Sequence, residues 1–135
     1  MRKPKRPEKI CQGQIYDIYL PEAEGSEQEG YRPVVVTSSN RRNLNSPTVM
    51  VAVVTSRIKM RDQSEHVVLP ALKWLPKQSM VCCEQRFTVD KTRLRDYRGK
   101  LPWETWQDVH RAIRLSEQTS QKAYEKEEWP VSGDD

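Results

Sequence analysis

Arg32 is the residue in this chain best placed to handle a phosphate. It stands between a polar loop, Gly25-Ser-Glu-Gln-Glu-Gly30, and the β-branched run Pro33-Val-Val-Val36. Proline cannot donate to a sheet ladder, so Pro33 belongs at the first residues of a strand. Arg32 then lies at a loop-to-strand junction, its backbone held by the sheet and its guanidinium projecting outward. A planar, permanently charged fork beside Ser26, Glu27 and Gln28 suits recognition of a phosphate. Taken alone, the same stretch is equally a hairpin connection with a surface arginine.

The other reactive side chains carry less. His66 starts a strand beside Val67 and Val68 and reads as a sheet residue; His110 falls in a helix and reads as a surface or contact residue. Nothing in their spacing makes them an acid–base pair. The cysteines are Cys11, Cys82 and Cys83, an odd count with no disulfide framework and no zinc spacing. Cys82 and Cys83 face opposite sides of one strand, one of them toward the core, and neither has the motif of a nucleophile. A reducing compartment, the cytoplasm, fits this usage.

Positioning these residues takes a sheet. Gln12 to Leu20 alternates as a first strand, with Ile18 and Leu20 toward the core. Pro33 to Ser38 is apolar on both faces and reads as a central strand. Asn40 to Pro47 is a polar connection rich in turn formers. Thr48 to Ser56, the longest β-branched run, is a second central strand whose end delivers Thr55 and Ser56, with Arg57 opening a basic loop. Glu65 to Leu69 and Ser79 to Gln85 are further strands, and Arg86 to Asp90 continues the latter or pairs after a bend. Lys91 to Leu94 is a helical turn. Pro102 and Glu104 suit the start of a helix over about Trp103 to Thr119, on which Trp106, Val109 and Ile113 share one face. Trp103 and Trp106 both read as packing residues.

Strands first and one long helix last imply a mainly β fold, a small antiparallel sheet curled into a barrel with a helix beside it. The 135 residues make one domain. Its expected extent is residues 10–124, between a basic arm over 1–9 and an acidic tail over 125–135. The net charge of +4 permits nucleic-acid binding without demanding it. No apolar run approaches the ~20 residues of a membrane span.

The motifs, in order, are Gly13-x-Ile15, Gly25-Ser-Glu-Gln28, Arg32-Pro-Val-Val-Val36, Thr48-Val49, Thr55-Ser56, Glu84-Gln85, Thr88-Val-Asp-Lys91 and Arg93-Leu94. As an ordered set over about Gln12 to Leu115 they resemble the MazF/PemK/Kid family of toxin endoribonucleases. The resemblance implies an SH3-like barrel with a C-terminal helix, usually homodimeric. It implies cleavage of single-stranded RNA without metal ion or cofactor, and a cognate antitoxin that blocks it. It makes Arg32 and Thr55 catalytic and puts Glu27 at an acidic position that supports activity. Glu84 and Gln85 match a pair that relatives place near the RNA.

The implied chemistry is attack of a 2′-hydroxyl on the adjacent phosphorus, leaving a 2′,3′-cyclic phosphate and a 5′-hydroxyl. Arg32 would neutralise charge on the phosphoryl oxygens, and Thr55 would position the phosphate. Glu27 would orient Arg32 or act as base, with Glu84 the second candidate for the base. Ser26, Gln28, Ser56, Arg57, Glu84, Gln85 and Arg86 are the candidate substrate contacts, and Tyr31 or Phe87 a stacking face.

The chain departs from the family pattern twice. Gln14 replaces an acid in the first strand. Gln85-Arg-Phe-Thr88 carries its arginine one residue early, a step that reverses its face on a strand. A binding protein on the same fold, like the gyrase poisons, or a relative that binds RNA or antitoxin without cutting, are the competing readings.

Overall fold

The computed structural model describes residues 6–20, 30–59 and 63–129. They form one antiparallel six-stranded sheet with a helix on one face. The strands are β1 (Gln14–Leu20), β2 (Gly30–Val36), β3 (Thr48–Thr55), β4 (His66–Val68), β5 (Met80–Asp90) and β6 (Tyr97–Lys100), in the spatial order β4-β5-β3-β2-β1-β6. The helices are α1 (Asn40–Asn45), α2 (Trp103–Glu117) and α3 (Gln121–Lys126), with a 3₁₀ turn over Lys91–Arg93. The expected mainly β fold, a curled antiparallel sheet with a C-terminal helix, is the one observed. Among the described residues no helix is long and apolar enough to cross a membrane.

The sheet has two buried faces, because strands that are apolar on both sides need cover on both. Ile15, Val35, Ala52, Val54, Val81 and Cys83 pack with Trp106, Val109, Ala112 and Ile113 of α2. On the opposite face, Tyr16, Ile18, Val34, Val36, Val49, Val51 and Val89 gather around Leu94. Ile18 faces this second core; Leu20 ends β1, and its side chain lies outside the described residues.

β2 begins at Gly30, earlier than Pro33, so Arg32 lies within the strand and pairs with Ile18. The ladder to β3 stops at Val34, next to Pro33. A ladder's end is where the missing N–H of a proline is tolerated. β5 runs on as one strand past Gln85, but its pairing with β3 slips. Val53 opposes Cys82 while Ala52 opposes Arg86, so Cys83, Glu84 and Gln85 form a bulge.

Three elements have weak signals in the sequence. α1 replaces an expected polar connection because Ser39 caps it, its hydroxyl accepting from the Arg42 amide at 3.2 Å. Ser120 caps α3 in the same way, and α2 ends at Glu117, before the expected Thr119, where the backbone of Gln118 turns extended. β6 lacks a β-branched residue and is held by β1, with Arg98 bridging Asp17 at 3.2 Å. The ring of Trp74, carried by the segment between β4 and β5, lies over Gly99 of β6. A Cβ there would sit 2.3 Å from the ring. This contact joins the two edges of the curled sheet, and only glycine fits it. Of the other end, Arg6 is packed, its Nη1 donating to the Leu94 carbonyl at 3.2 Å.

Tyr16 makes stability depend on pH. Its hydroxyl is buried and donates to Gln14 Oε1 at 2.9 Å. Burial, against a smaller opposing effect of Arg6, pushes its pKa from 10.0 up to about 12. Between those values the unfolded chain has lost this proton and the folded chain has kept it. Rising pH therefore favours unfolding: the contribution is complete below pH 10.0 and lost as pH rises through about 12. Urea midpoints measured across this window should fall more steeply for the native chain than for Tyr16→Phe.

Candidate active site

Register places the arginine and threonine together. Val34 opposes Val53. Arg32 and Thr55 lie two residues farther along the two antiparallel strands in the matching directions, so their side chains leave the sheet on one face. This is the face away from α2. Both are half-buried in the wall of an open groove of about 310 Å³ that also includes Ser56, Arg57 and Lys77. Three cations thus converge beside the hydroxyls of Thr55 and Ser56.

The threonine is set by its own turn. The Arg57 amide donates to Thr55 Oγ1 at 3.0 Å. The oxygen is used as an acceptor, and its proton remains available to donate. The β-branch adds a restricted χ1. Groove and donors together suit a phosphate: charge from the guanidinium and ammonium groups and an O–H from Thr55. Lys77 has no local sequence signal; it reaches the groove because β5 starts with Met80 opposite Thr55, which brings the residues just before β5 to the end of β3. A larger groove of about 510 Å³ lies between the N-terminal segment and α1, bordered by Lys9, Arg41 and Lys91. It contains neither Arg32 nor Thr55.

Glu84 and Gln85 are exposed on the bulge of β5. Glu84 is not merely a solvated strand end: its Oε2 lies 2.6 Å from His66 Nε2. His66 is a sheet residue, as its sequence setting suggests, but its side chain is committed to this carboxylate. Arg86 goes elsewhere. It opposes Ala52, whose side belongs to the α2 core, and pairs with Glu117 at 2.7 Å and Ser116 at 3.3 Å on the end of α2. The sheet separates it from the groove, so it is not brought together with Arg32 and Thr55. Phe87 packs against the second core, opposite Val51. Tyr31 is 62% exposed and its ring meets that of Tyr19 at 5.3 Å. Ser26, Glu27 and Gln28 lie outside the described residues. Of the two tryptophans expected to pack, Trp106 does, at 5% exposure; Trp103 is 66% exposed. His110 is on the surface, stacked on Trp106. Among the described residues, His66, Cys82 and Glu84 alone bring three potential metal ligands within reach of one another.

Known proteins share both the sequence and the fold. Residues 11–116 match the family described as PemK-like, MazF-like toxin of type II toxin-antitoxin system. The chain is similar to the Endoribonuclease MazF of Staphylococcus saprophyticus subsp. saprophyticus, with 38% identity over 105 residues, covering 77% of this chain and 88% of that protein. Its fold is similar to that of a mycobacterial endoribonuclease solved in complex with its cognate antitoxin, with TM-score 0.66 and 21% identity over 90% of this chain and 99% of that one. It is similar also to that of MazF from Deinococcus radiodurans in a MazE–MazF structure, with TM-score 0.68 and 22% identity over 84% and 100% of the two chains. The matched region spans β1 to α2 and includes the whole groove, and on that footing the chain belongs to the PemK-like, MazF-like toxin family of type II toxin-antitoxin systems.

Proposed function

We propose that this chain is an endoribonuclease toxin that cuts single-stranded RNA by 2′-hydroxyl attack on the neighbouring phosphate, with Arg32 and Thr55 acting on that phosphate. The observation that carries the reading is their convergence in one basic groove. The curated relative at 38% identity is an endoribonuclease, which supports the reaction class.

In the reaction the 2′-oxygen forms a bond to phosphorus, the bond to the 5′-oxygen breaks, and charge grows on the non-bridging oxygens. Arg32 meets that charge with two parallel N–H donors, and Thr55 adds its hydroxyl. A proton leaves the 2′-hydroxyl and one must reach the departing 5′-oxygen. Arginine gives up a proton too reluctantly to serve as the acid, so its part is electrostatic. Glu27 is the first candidate for the base. Glu84 is less suited, since its carboxylate is already bonded to His66. Ser56, Arg57 and Lys77 extend the phosphate track, while Gln85, Ser26 and Gln28 are the candidates for base edges.

The same reading gives the chain a proteinaceous antitoxin, a homodimeric assembly and a cytoplasmic site of action, where RNA is found. MazF of D. radiodurans has been solved with MazE, and the mycobacterial endoribonuclease with its antitoxin. The test is incubation of purified protein with a mixed single-stranded RNA in the presence of EDTA, followed by end mapping. Cleavage at discrete sites, leaving 5′-hydroxyl and 2′,3′-cyclic phosphate ends, is expected. RNA left intact at high protein concentration would favour the gyrase-poison-like reading, in which the groove binds without cutting.

A further inference from the structure

We propose that His66, Cys82 and Glu84 form a binding site for a borderline divalent transition-metal ion, of which zinc is the probe. The sequence shows no metal spacing; the site arises from the pairing of two strands. His66 on β4 opposes Cys82 on β5. A ring nitrogen of His66, the sulfur of Cys82 and a carboxylate oxygen of Glu84 all lie within 4.8 Å of one another. Imidazole, thiolate and carboxylate together are a donor set that zinc accepts and that magnesium and calcium do not favour. Three protein ligands leave the fourth tetrahedral position for water or another oxygen.

Burial gives the site walls and an entrance. Cys82 is 5% exposed, and the side chains of His66 and Glu84 are 8% and 37% exposed. Two ligands are set into the sheet, and the third closes from the solvent side. One adjustment is needed. The His66–Glu84 pair is separated by 2.6 Å, whereas tetrahedral ligands about 2.1 Å from zinc stand roughly 3.4 Å apart. Rotation of the exposed Glu84 supplies that difference. On binding, Cys82 gives its thiol proton to solvent and its sulfur takes the metal. His66 gives up to solvent the Nε2 proton that it donates to Glu84, takes or keeps one on Nδ1, and offers the Nε2 lone pair to the metal. Thiolate and carboxylate balance the dication.

The site stands beside the groove. Val34, Val53, Cys82 and His66 form one row across four strands, and Thr55 opposes Met80 in the next row. Thr55 and Cys82 are therefore diagonal neighbours on one face, about 7–8 Å apart. A bound ion ties down Glu84 and occupies the surface next to the catalytic pair, so that metal loading slows RNA cleavage. This consequence rests on the ribonuclease reading; the binding itself does not.

The experiment uses the full chain, reduced and freed of metal. Zinc is titrated in competition with a chromophoric chelator, and cobalt(II) is followed by its thiolate charge-transfer absorption. One equivalent should bind. Cys82→Ser should abolish the absorption band, and Cys82→Ser, His66→Gln and Glu84→Gln should each weaken zinc binding by about 10-fold or more. The double variant Cys11→Ser/Cys83→Ser should bind as the native chain does. Glu84→Gln, at an exposed position, keeps the test valid if a buried substitution unfolds the protein. Failure to bind one equivalent, or undiminished binding by Glu84→Gln and His66→Gln, overturns the site. RNA cleavage with and without zinc is read separately. Binding in a chain that never cleaves RNA leaves the metal site standing and removes the ribonuclease reading.

Discussion

Replacing Arg32 with alanine is expected to slow RNA cleavage by roughly 10² to 10³, the usual cost of losing a preorganised donor to a charge that develops in the transition state. Single-turnover rates at saturating protein measure the chemical step directly. The loss should fall on the rate at saturation more than on RNA affinity, because Arg57 and Lys77 remain in the groove to hold the ground-state phosphate. Arg32→Lys restores the charge but not the paired donors, and should recover only part of the rate. Arg86→Ala supplies the contrast. That arginine bonds Glu117 and Ser116 at the end of α2, across the sheet from the groove. Its removal should leave the chemical rate close to that of the native chain.

Replacing Trp106 with alanine is expected to cost about 3–5 kcal/mol of stability. Its side chain is 5% exposed and packs in the core that joins α2 to β1, β2, β3 and β5. Against a total of about 5–15 kcal/mol for a domain, the variant would be marginal at best. Urea unfolding followed by circular dichroism gives the value. Trp103→Ala, one helical turn earlier and 66% exposed, should change stability by only about 0.5 kcal/mol. The pair separates burial from residue type.

The strands that form the groove were legible because their signals are local. Val34 to Val36 and Thr48 to Thr55 are runs rich in β-branched residues, although β2 itself starts earlier than Pro33, at Gly30. Once both are central strands of one antiparallel sheet, Arg32 and Thr55 need only the correct register to meet. Register itself is not written in either strand, and only the resemblance to a toxin family assigned the two residues one reaction. Arg86 shows the opposite case. Its one-residue offset hinted at a reversed face, but the three-residue bulge and the contacts with Glu117 and Ser116 are products of tertiary packing.

Other features depend on partners distant in the chain. β6 is a strand because β1 pairs with it and Trp74 covers Gly99, none of which Tyr97 to Lys100 announces. α1 and α3 are short, and their serine caps are easily taken for turn residues. The bond between His66 and Glu84 spans two strands, and each residue looks ordinary in its own segment. Trp103 was expected to pack like Trp106, yet it is the first residue of α2, ahead of the buried stripe that starts at Thr105 and Trp106, and it stays 66% exposed.

The central claim is that Arg32 and Thr55 act on the same phosphate. A double-mutant cycle on the single-turnover cleavage rate tests it, using Arg32→Ala, Thr55→Ala and both together. Residues serving one transition state lose their effects jointly, so the double variant should be little slower than Arg32→Ala alone. If instead the two losses multiply in full, the residues act independently, and a shared phosphate in this groove is ruled out.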